Sequence, residues 1–65
     1  MVLVDAYPQL AFVAWNRRER RVVEREAFAL YESNRQWIDP ASMTAAERSL
    51  FDALVARFAN GAWLG

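Results

Sequence analysis

The side chains in this sequence that could move a proton are its carboxylates, and Glu24, Glu26, Glu32, Asp39 and Glu47 are the acids among which a general acid and base pair would have to be sought. Nothing beyond their presence recommends them. Carboxylates at such positions serve helix starts and i to i+4 pairs, and no cleft-forming glycine loop accompanies them. With no histidine and no cysteine, one copy of the chain lacks a side chain that titrates near neutral pH, a thiolate nucleophile and the commonest transition-metal ligands. No P-loop, dinucleotide fingerprint or EF-hand pattern occurs. The expectation is a protein that is not an enzyme and takes no cofactor, metal or small-molecule substrate.

The arginines offer a different chemistry. All eight basic residues are arginine, balanced by eight acids, so the formal charge is zero and no global field draws the chain to nucleic acid or an anionic membrane. Five arginines fall in residues 17–25 (RRERRVVER), a local +3 once Glu19 and Glu24 are subtracted. Guanidinium groups so close together could fork onto a partner's carboxylates or onto phosphates, which makes Arg17, Arg18, Arg20 and Arg21 candidate protein-binding residues. The bland reading is a solvated connection whose own glutamates neutralise it. A nucleic-acid-binding module using Arg17 to Arg25 is the alternative function. A helix-turn-helix is poorly supported, since its reading helix would carry only Arg48 and Arg57 with Asp52 between them, and duplex DNA is not expected to bind.

Nine aromatics in 65 residues favour packing and binding. Tyr31, Trp37, Phe51 and Phe58 recur at helical spacing and are expected in the core. Trp15 beside the arginine band, Phe28 off the main stripe of its helix, and Trp63-Leu64 beyond a glycine stop are expected at an interface with another chain, where tryptophan and arginine carry much of the binding energy.

Three helices would have to position these groups. Thr44 followed by Glu47 is a capping-box pattern, in which the threonine oxygen accepts an early N–H and the glutamate reaches back to the threonine N–H. The helix that starts there presents Leu50, Phe51, Leu54, Val55 and Phe58 on one stripe and stops at Asn60-Gly61. A second helix is expected from about Val23 to Ile38, ended by Asp39-Pro40, with Asp39 capping the turn that Pro40 begins. Asn34 lies inside its apolar stripe and should be half-buried and hydrogen-bonded across the hairpin or to the Asp39 connection. Residues 6–16 are almost continuously apolar, so periodicity alone leaves helix and strand open. Helix is expected, capped by Asp5 and ending near Asn16, because a lone strand has no visible partner.

A chain of this length makes one domain, residues 1–65, and such a domain hides only about 60% of its unfolded surface. Without a disulfide, burial against another chain is one of the remaining routes to stability. The longest apolar stretch, Ala6 to Trp15, is too short to span a bilayer, and no secretory pattern precedes it. A soluble, cytoplasmic protein is expected.

The run LYESNRQWID (residues 30–39) followed by TAAERSLFDALVARFANG (44–61) resembles a group of short helical bacterial proteins of unassigned function, and is similar to products of two-gene, toxin–antitoxin-like operons. About half the chain is covered. Tyr31, Glu32, Asn34, Ile38, Asp39, Glu47 and Gly61 match the pattern, whereas Arg35 stands where it has an aromatic, with Trp37 two positions later. The resemblance brings no catalytic residue. Together these readings predict an all-α fold, a small three-helix open bundle whose last two helices form an antiparallel hairpin, with Asn34, Asp39, Thr44 and Glu47 as structural polar groups. The predicted function is a regulatory or inhibitory protein-binding subunit that self-associates or caps a larger partner.

Overall fold

The computed structural model describes residues 1–61 and Trp63. The described residues are mostly helical, with three α-helices among them, but not purely so. Val2–Leu3 (β1) pairs antiparallel with Arg21–Val22 (β2), matching Val2 to Val22 and Leu3 to Arg21. The Val4 N–H extends the ladder onto the Arg20 carbonyl at 2.9 Å. β-Branched residues at both ends of a loop favour this pairing, yet two residues per strand are too few to register as alternation. The all-helical expectation fails there.

A 3₁₀ turn, Val4–Ala6, leads into α1, Pro8–Val13, so the ambiguous N-terminal segment is helical, though only six residues long. Pro8 occupies the first helical position, where its missing N–H removes no bond. Asp5 does not cap this helix: the N-cap is Tyr7, and the Asp5 carboxylate is engaged by Arg20 instead.

α2 spans Glu24–Ser33 and ends earlier than expected. Asn34 is its C-cap, and the backbone then tightens into a 3₁₀ turn over Arg35–Trp37. The change from about 3.6 to about 3.0 residues per turn rotates Trp37 away from the apolar stripe, leaving it 63% exposed rather than in the core. Phe28 moves the other way. It shares a face with Ala27 and Tyr31, is buried, stacks on Phe58 at 5.7 Å between ring centroids and meets the edge of Trp63.

A further 3₁₀ turn, Pro40–Ser42, is capped as expected by Asp39, whose carboxylate accepts from the Ala41 N–H at 3.2 Å and the Ser42 hydroxyl at 2.8 Å. α3, Ala45–Phe58, has Thr44 as N-cap. It closes on two consecutive left-handed residues, Asn60 (φ 53°) and Gly61 (φ 81°), the second donating its N–H to the Val55 carbonyl. A side chain is strained at the Gly61 angle, which is why the stop needs glycine.

α2 packs on α3 and α1 lies against α2. Every strand and helix contributes to one core, built from Val2, Val4, Leu10, Val22, Tyr31 and Leu54 among others. Tyr31 and Phe51 meet edge to face at 5.3 Å, and Phe51 meets Trp63 at 4.9 Å. Among the described residues no helix is long and apolar enough to cross a membrane.

Candidate functional site

Glu47 is fully buried and joins three helices. Half of the expected capping box forms, since Thr44 Oγ1 accepts from the Glu47 N–H at 3.1 Å. The other half does not. The Glu47 carboxylate crosses to α1, where Oε1 accepts from the Gln9 N–H at 2.9 Å and Oε2 from the Leu10 N–H at 2.9 Å, and Oε2 also accepts from the Tyr31 hydroxyl at 2.7 Å.

The reason lies in the orphan donors of a helix start. At the beginning of α1 the Tyr7 N–H reaches the Val4 carbonyl, Pro8 has no N–H, and Gln9 and Leu10 are left over. A carboxylate at that end satisfies both and suits the positive end of the helix dipole. The Tyr31 phenol, pushed well above its ordinary range first by burial and then by its bond to Glu47, stays protonated and donates.

The Gln9 side chain extends the junction. Its Nε2 donates to the Asp39 carbonyl at 2.7 Å while its Oε1 accepts from the Asp39 N–H at 2.8 Å, so one side-chain amide pairs with both backbone polar groups of one residue. This clamp fastens α1 to the segment that immediately follows Trp37.

Between the two fastened elements lies an open groove of about 490 Å³ lined by Phe12, Val13, Trp15, Asn34 and Trp37. Phe12 is 63% exposed, Trp15 78% and Trp37 63%. Phe12 and Trp15 are three residues apart at the end of α1, so they share a side, while Leu10 and Ala14 turn into the core. Asn34 is half-buried, as expected. Its Nδ2 donates to the Leu30 carbonyl of its own helix at 2.9 Å, which corrects the expected bond across the hairpin or to the Asp39 connection. As a C-cap it serves a carbonyl that the shortened helix leaves free.

The candidate interface residues scatter. Trp15 is in the groove wall, whereas Phe28 is buried and Trp63 packs against the core, where its ring meets those of Phe28 and Phe51. Leu64 lies outside the described residues. Arg17 pairs with Glu26, and Arg20 grips Asp5 through Nε and Nη2 (2.7 Å to Oδ1) while its Nη1 donates to the Ala14 carbonyl at 2.7 Å. The Arg20 guanidinium holds the Asp5 carboxyl below its ordinary range. These two arginines fasten their own loop rather than standing free for a partner. Arg18 and Arg21 are exposed.

Sequence reasoning missed Phe12 and Val13 as groove residues and placed Trp37 in the core. The available signal was that residues 6–16 are almost continuously apolar, more than one core-facing stripe requires. No family model, curated protein or solved structure matches this chain.

Proposed function

We propose that this chain is a small protein-binding subunit, regulatory or inhibitory in its effect and without a reaction of its own, whose contact face is the groove of Phe12, Trp15 and Trp37. The observation that carries the reading is the exposure of three large aromatic rings around one neutral, apolar depression. Exposed apolar patches rimmed by polar residues mark interaction sites, and tryptophans at their centre are the usual hot spots. The engagement of Arg17 and Arg20 by Glu26 and Asp5 argues against the arginine band as a phosphate-gripping surface.

Alanine at both Trp15 and Trp37 tests it. Both side chains are mostly exposed, so the circular dichroism and the melting of the folded chain should barely change. Affinity for any protein that copurifies with the native chain should fall at least about 30-fold, the equivalent of one hot-spot residue. Substituting Arg18 and Arg21 with glutamine should have the smaller effect. Unchanged binding by the double tryptophan variant would refute the reading.

A further inference from the structure

We propose that the occupant of the aromatic groove is a second copy of this chain, in a two-fold dimer where Trp15 of each copy seats in the groove of the other. The inference rests on the protein-binding reading above and names its partner.

The area argument comes first. An aromatic side chain offers roughly 150–250 Å² of contact surface, so rings left 63%, 78% and 63% exposed supply about 300–500 Å² per copy. That is roughly a tenth of the chain's 4370 Å² of accessible surface. A stable interface hides about 800 Å² per partner, and the three rings thus provide roughly half of one from a single face. Val13, Asn34 and the rim around them would contribute part of the rest.

Charge favours a like partner. In a two-fold contact the same patch meets itself, and a residue near the axis approaches its own counterpart. A charge at the centre would repel its own copy there. Phe12, Val13, Trp15, Asn34 and Trp37 include no ionisable group, and the chain as a whole carries formal charge zero. A groove built for a charged partner would carry the opposite sign.

Asn34 supplies the polar complement. Its Nδ2 is used by the Leu30 carbonyl, and among the described residues no donor reaches its Oδ1. The indole N–H of a tryptophan is donor only, so Trp15 from the other copy can bury its ring against Phe12 and Trp37 and direct its N–H to Asn34 Oδ1. Trp15 is the most exposed of the three rings and lies just past the end of α1, where it can project.

Sedimentation equilibrium on the full chain, with melting temperature followed against concentration, tests the assignment. The native protein is expected to be a dimer at tens of micromolar, with a melting temperature that rises with concentration. Trp15→Ala and, separately, Trp37→Ala should each raise the dissociation constant by about 30-fold or more while leaving the far-ultraviolet spectrum unchanged. A native chain that stays monomeric to about 1 mM overturns the dimer. If that monomer still loses a copurifying protein on the double tryptophan substitution, the protein-binding reading survives alone. A dimer indifferent to both single substitutions overturns the placement of the interface.

Discussion

Replacing Glu47 with alanine is expected to unfold most of the domain at room temperature. The substitution strands three donors at once: the part-buried Gln9 N–H, the buried Leu10 N–H and the buried Tyr31 hydroxyl. Each unsatisfied buried group costs about 1–3 kcal/mol, and removing one partner of a buried charged network typically costs about 3–5 kcal/mol. A domain of this size has a total stability near the low end of about 5–15 kcal/mol, so a loss of that order consumes most of it. Urea denaturation followed by circular dichroism should show the midpoint collapsing toward zero. Glu47→Gln keeps the volume but turns its amide N–H₂ toward donors, and should be intermediate. A variant Glu47→Ala within about 1 kcal/mol of the native chain would show that the junction is dispensable.

The second large effect is alkaline. The Tyr31 phenol is raised in the folded state above its unfolded value of about 10, by burial first and by Glu47 second. Above that pH the unfolded chain releases the proton while the folded chain keeps it, so stability is fully present below about pH 10 and lost as pH rises. The slope should approach 1.4 kcal/mol per pH unit, giving about 2–3 kcal/mol by roughly pH 12. Phenolate absorbance from Tyr31 should therefore appear only together with loss of the helical signal. Tyr31→Phe should be less stable at neutral pH, by about 1–3 kcal/mol for the acceptor it leaves short, but should lose this component of the alkaline slope. An identical slope in the two proteins would assign the effect elsewhere.

Both predictions turn on residues whose types were conspicuous in the sequence and whose partners were not. The helix beginning at Thr44, its glycine stop and the Asp39 cap were legible because each is a local arrangement of a few neighbouring residues. Glu47 was legible as a helix-start residue, but its partners lie 16, 37 and 38 positions away, and no local rule distinguishes a glutamate that reaches back from one that reaches across. The β1–β2 pairing was hidden for a related reason: two residues per strand carry no period. Trp37 and Phe28 exchanged places because the apolar stripe of α2 was extended through Asn34, where the backbone changes its pitch. The groove became visible only when that change put Trp37 opposite Phe12 and Trp15.

The capping of α1 by a residue from α3 also sets the order in which the chain can acquire structure. A six-residue segment cannot hold a helical conformation in water by itself, since nucleation is unfavourable and too few bonds follow it. Its first two available amides find their acceptor only after α3 exists and has docked, so α1 is a product of tertiary assembly and not a building block for it. The loop between them must close before the reward arrives, which raises the contact order of an otherwise local, helical chain. The groove wall formed by Phe12 and Trp15 consequently rests on contacts 37 and 38 residues distant in sequence, and the aromatic groove depends on those contacts being made.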